Sequence, residues 1–153
     1  VEGEMDLLHR SGIVVDVCRE GESFTAVSFI CKVGQPYTVR TRMVSRVLSL
    51  SASAWEGACA AFPENLQQVR HNLLLHCELK LKDFPPSTAG YVIYTELIEV
   101  VKVHLVQQEE LAIAMVLSAA AHGDLPELKR QLVASTPNCC NDDNRMPLHL
   151  AAA

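Results

Sequence analysis

The strongest constraint on the fold is a change of hydrophobic period near Ser53. Before it, glycines at positions 3, 12, 21 and 34 cut the chain into short pieces. In residues 37–43, Val39, Thr41 and Met43 alternate with Arg40 and Arg42, the two-residue period of a half-buried strand. That alternation sends the two arginines to the solvent face. Residues 13–17 and 46–50 are read as further strands, and turn signals at roughly 8–12-residue spacing describe an antiparallel roll or sandwich.

After the change, three- and four-residue steps take over. Ser53-Ala54-Trp55-Glu56 matches a capping box, so a short helix is expected to begin there. Pro63 halts it and opens the next helix, where Leu66, Val69, Leu73, Cys77 and Leu81 form one apolar stripe ending near Lys82. Phe84-Pro85-Pro86 breaks that helix, and residues 84–90 are expected to be a linker. In residues 91–108 the Val and Ile content favours strand, whereas Leu97, Val101 and Leu105 at four-residue steps favour helix; helix is the expectation.

With 153 residues the chain can bury one modest core, or one small domain and part of another. Its 49% hydrophobic and 20% charged residues describe a folded chain, and its net charge of -5 disfavours the basic stripe that nucleic-acid binding needs. The apolar run 111–121 is about half the ~20 residues of a bilayer span. No signal peptide is legible, and the six cysteines have no zinc-type spacing, which suits reduced thiols. A start at Val1 and a stop at Ala153 inside a motif are expected of a section of a longer protein.

Leu117-Ser118-Ala119-Ala120-Ala121-His122-Gly123-Asp124-Leu125, then Leu128 and Leu132, then the segment ending Met146-Pro147-Leu148-His149-Leu150-Ala151-Ala152 closely resemble the ankyrin signature, at close to its ~33-residue period. Gly123 would turn between paired helices. Asp124 would cap the second with Glu127 at the box position, Pro147 would open the next repeat, and the His149 ring would bond neighbouring backbone. Cys139 and Cys140 would lie on the connecting loop, exposed.

The first fifty residues resemble the later half of a cyclic-nucleotide-binding domain. Val1 to Leu8 is similar to a strand entering that roll, Gly21-Glu22-Ser23-Phe24 to the opening of its phosphate cassette, and Gln35-Pro36-Tyr37-Thr38-Val39-Arg40-Thr41 to its close. The wording of that last segment resembles plant Shaker-type inward rectifier potassium channels, and Asn72-Leu73-Leu74-Leu75-His76 fits them too. The resemblance implies an α+β fold: a partial antiparallel β-roll followed by helices and an ankyrin helix pair. It divides the chain into 1–82, the end of the roll with its helices, 83–110, a linker or helix, and 111–153, a truncated ankyrin start. It also implies a tetrameric, voltage-gated channel, with membrane spans upstream of Val1 and this region on the cytosolic side. Implied partners are the other channel subunits and, through the ankyrin repeats, cytosolic proteins.

A working cassette holds the ribose with a glutamate and the cyclic phosphate with an arginine. By the resemblance those positions fall on Ala26 and Gln35, and Thr25 replaces a glycine. Gly21, Glu22, Phe24, Ala26, Gln35 and Thr38 thus form a degenerate cassette. Hydrogen bonds to charged groups contribute ~1.5–3 kcal/mol each, so losing two weakens binding roughly a hundredfold to ten-thousandfold. A structural roll without cofactor is the expectation; a nucleotide sensor, in a channel or a soluble ankyrin scaffold, is the alternative. His71 and His76, five apart, face different sides of a helix, so neither a metal site nor an enzyme is expected.

Overall fold

The computed structural model describes residues 2–133 and 135–152. Its fold is α+β: a small antiparallel sheet followed by helices. Strand β1 (Met5–Leu8) lies between β2 (Val14–Cys18) and β3 (Thr38–Thr41), giving the order β2-β1-β3. Being central, β1 is paired along both edges, and all four of its residues are buried.

Met5 and Leu7 face the main core, and Asp6 points the other way, only 5% exposed. A buried carboxylate needs a partner. Asp6 is opposite Arg40 in the register, Arg40 Nη2 lies 3.1 Å from its Oδ2, and Arg42 Nε donates to its Oδ1. Burial works to raise the Asp6 pKa, but the two guanidiniums outweigh it and hold the carboxyl below its ordinary value. The two arginines lie on the exposed face, as expected, and their charged ends also reach Asp6.

The expected strand at 46–50 does not form. Arg46 makes an isolated bridge to Glu2, and beyond it no described strand lies alongside, so Val47, Leu48 and Leu50 remain exposed. Helix α1 (Ala26–Cys31) follows β2, and α2 (Ala52–Ala61) follows the irregular segment. The cap of α2 is Ser51, not Ser53: Ser51 Oγ accepts from the Ala54 N–H at 3.2 Å. Ser53 has its hydroxyl on Ser51 instead.

Pro63 opens a 3-10 turn (Pro63–Asn65) that runs into α3 (Leu66–Leu81). The expected stripe buries Leu73 and Cys77 at its centre. The chain then folds back into α4 (Ala89–Ala121), 33 residues or about 50 Å long. Thr88 caps it, accepting from the Tyr91 N–H at 3.2 Å. The Val- and Ile-rich stretch is helical because Ile93, Leu97, Ile98 and Val101 are buried by the sheet, α1 and α3, and packing overrides β-propensity.

Residues 84–90 are not a loose linker. Phe84 stacks on Tyr94 with ring centroids 5.3 Å apart, and Gly90 is buried within the first turn of α4. A Cβ on Gly90 would stand 2.5 Å from the Phe84 ring and 3.0 Å from the Val15 carbonyl, so only glycine fits.

At the far end of α4, Val116, Leu117, Ala119 and Ala120 are buried where α5 (Leu125–Gln131) and α6 (Pro147–Ala151) pack. Gly123 turns the chain at φ +66°, and Asp124 caps α5 by accepting from the Glu127 N–H at 3.0 Å. Pro147 opens α6, and His149 Nδ1 accepts from the Met146 N–H at 3.1 Å. Cys140 is exposed as expected, but Cys139 is buried, because its side of the loop turns inward.

Candidate functional site

The segment between β2 and α1 is held by its own backbone and one carboxylate. Gly21 takes a left-handed φ of +80°, and the Arg19 N–H donates to Glu22 Oε2 at 2.8 Å. That bond, with the Lys80 ammonium, keeps the Glu22 carboxyl below its usual range against burial. Phe24 turns toward the core. Thr25 adopts φ +67°, a conformation that costs a β-branched residue about 1–2 kcal/mol, and its N–H donates to the Tyr37 hydroxyl at 3.3 Å. Ala26 begins α1.

Gln35 buries both amide atoms without a hydrogen-bond partner. It lies close enough to Tyr37 to affect that phenol, whose pKa burial raises, yet the two do not reach hydrogen-bond geometry. Thr38 is exposed at the start of β3, opposite Leu8. The structure thus brings Glu22, Phe24 and Ala26 around one small cavity, with Gly21 at the rim of the turn, and sets Gln35 and Thr38 apart from it.

Three residues that the sequence did not single out close this cavity. Asp16 on β2 is clamped by the Val17 N–H at 2.7 Å. The Tyr94 hydroxyl of α4 donates to Asp16 Oδ2 at 2.8 Å, and Lys80 Nζ of α3 lies 3.5 Å from the same oxygen and 3.3 Å from Glu22 Oε1. Burial pulls the Lys80 pKa down, but the two carboxylates outweigh it and raise it; burial and the bond to Asp16 raise that of Tyr94 strongly. The available signal was Asp16 itself, the one charge in an otherwise apolar strand.

What remains between residues 22–27 and the helices is about 40 Å³, room for about one water molecule. Drug-sized ligands occupy pockets of roughly 300–1,000 Å³. The opposite side of residues 21–26 lines a groove of about 540 Å³ with Phe29, Leu48 and Trp55, where Phe29 and Trp55 meet edge to face at 6.2 Å. Among the described residues no group of His, Cys, Asp and Glu is placed to hold a metal, and no helix is long and apolar enough to cross a membrane.

No family model matches the chain. It is similar to Potassium channel SKOR of Arabidopsis thaliana, 32% identical over 142 residues covering 92% of this chain and 16% of that protein. Potassium channel AKT6 of Arabidopsis thaliana is 32% identical over 158 residues, 98% of this chain and 16% of that protein. Potassium channel KOR1 of Oryza sativa subsp. japonica is 28% identical over 133 residues, 85% of this chain and 14% of that protein. The chain therefore spans about one sixth of the length of the curated relatives it matches. Over most of its own length it is homologous to one segment of plant potassium channels.

Proposed function

We propose that the chain is a non-catalytic regulatory region of a voltage-gated potassium channel, on the cytosolic side of the membrane, whose roll is structural and binds no cyclic nucleotide. The observation that carries this reading is the closure of the inner side of residues 22–27 by Lys80 and Tyr94, which leaves about 40 Å³ there. A cyclic nucleotide brings a phosphate, yet here the inner face presents two carboxylates already satisfied by the chain's own ammonium and phenol. Admitting a ligand would mean breaking those contacts with no arginine at position 35 to replace them.

The C-terminal segment is the start of an ankyrin array that docks cytosolic proteins, and α4 links it to the roll. The Gly123 turn, the Asp124 cap and the Pro147 start support that reading. In the assembled tetramer, movement of α3 and α4 against the cassette would bias the gate.

Recordings from excised patches of the whole channel test the proposal. Perfusing cyclic AMP or cyclic GMP onto the cytosolic side leaves the activation voltage unchanged, whereas Asp16→Asn shifts it. A nucleotide-dependent shift in the unmodified channel overturns it.

A further inference from the structure

We propose that the groove between α3 and α4, far from the cassette, is a binding site for an amphiphilic monocarboxylate. Its carboxylate meets Arg70, and its apolar tail lies along Leu66, Leu105 and Met115. This inference does not depend on the channel reading.

The groove holds about 690 Å³ and is open along one side. One charged group on its lining, Arg70, lacks a partner of opposite charge. Arg70 is half-buried, and among the described residues its only hydrogen bond is to the neutral Gln108 Oε1 at 3.0 Å; no carboxylate pairs with it. A guanidinium carries five donors and suits a carboxylate in a forked arrangement.

Glu109 also lines the groove without pairing to Arg70. Repulsion from Glu109 grows with ligand charge, so a monoanion paired with Arg70 is preferred to a phosphate dianion. Leu66, Leu105, Leu111, Ala112 and Met115 give the remaining wall its apolar character, which matches a short alkyl tail.

Octanoate, octan-1-ol and octylammonium, titrated into the chain with labelled methionine methyls, test the site. Octanoate is expected to shift the Met115 methyl, leave Met5 unmoved, and bind about tenfold to a hundredfold tighter than octan-1-ol; octylammonium is expected not to bind. Arg70→Gln should erase the difference between acid and alcohol. Ala112→Trp, which fills the tail end and leaves Arg70 in place, should abolish the Met115 shift, and the unshifted Met5 signal reports that each variant is folded. Octanoate no tighter than octan-1-ol, an acid preference that survives Arg70→Gln, or shifts confined to residues outside the groove would each overturn the proposal.

Discussion

One helix carries two unlike regions. At its start, α4 is enclosed: Ile93, Tyr94, Leu97, Ile98 and Val101 are buried by sheet and helices, and Tyr94 is fixed to Asp16. At its end, α4 buries Val116, Leu117, Ala119 and Ala120, but the helices on it stay open. α5 buries no residue fully, α6 buries only Pro147, and Leu125 and Leu148 are 63% and 78% exposed. The contrast shows how each unit gains stability. A sheet with helices across it closes a core alone, whereas stacked helix pairs expose an apolar face until a neighbour covers it.

The largest expected effect separates the two regions directly. Leu97→Ala removes a buried side chain at the closed end and should cost about 2–5 kcal/mol by denaturant unfolding. Leu148→Ser at the open end should stay within about 0.5 kcal/mol. Equal losses would mean that the C-terminal helices are as enclosed as the sheet and the helices across it.

Asp16→Asn comes next. It strips Lys80 of one buried partner and replaces the charged acceptor of Tyr94, at an expected cost of about 1–3 kcal/mol. No loss would show that the polar closure of the cassette contributes nothing to the closed end.

Thr25→Gly should act in the opposite direction. It relieves a threonine held at φ +67° and should stabilise the chain by about 1 kcal/mol. Destabilisation would mean that the Thr25 side chain outweighs its backbone strain.

Acid unfolding sharpens the same contrast. Asp6 and Glu22 have folded pKa values below their ordinary 3.8 and 4.5. The unfolded chain therefore takes up protons first as pH falls. The stability these groups supply is fully present above about pH 5 and is lost as pH drops through the folded values. Asp6→Asn should flatten that acid limb in a pH series of unfolding curves; an unchanged limb would place the effect elsewhere.

Periodicity and turn chemistry made much of the fold legible. Val39 and Thr41 marked β3, though Met43 falls outside it, the stripe from Leu66 to Leu81 marked α3, and Gly123 and Asp124 marked the turn into α5, because each signal is local. Two kinds of information were not local. Residues 46–50 have strand composition, but a strand also needs a partner ladder, and only Glu2 meets it. Asp6 and Asp16 had no sequence signal for partners lying 34 and 78 residues away, at Arg40 and Tyr94. Residues 21–26 were visible as a run; the packing of Lys80 and Tyr94 against that run was not, since helices that return from later in the chain supply both.

The most direct test of that closure is calorimetric titration of the 153-residue chain with cyclic AMP and cyclic GMP. A cavity closed over Asp16 and Glu22 predicts no binding heat from either nucleotide. Saturable micromolar binding, lost on substitution of Ala26 by a bulky residue, would contradict it.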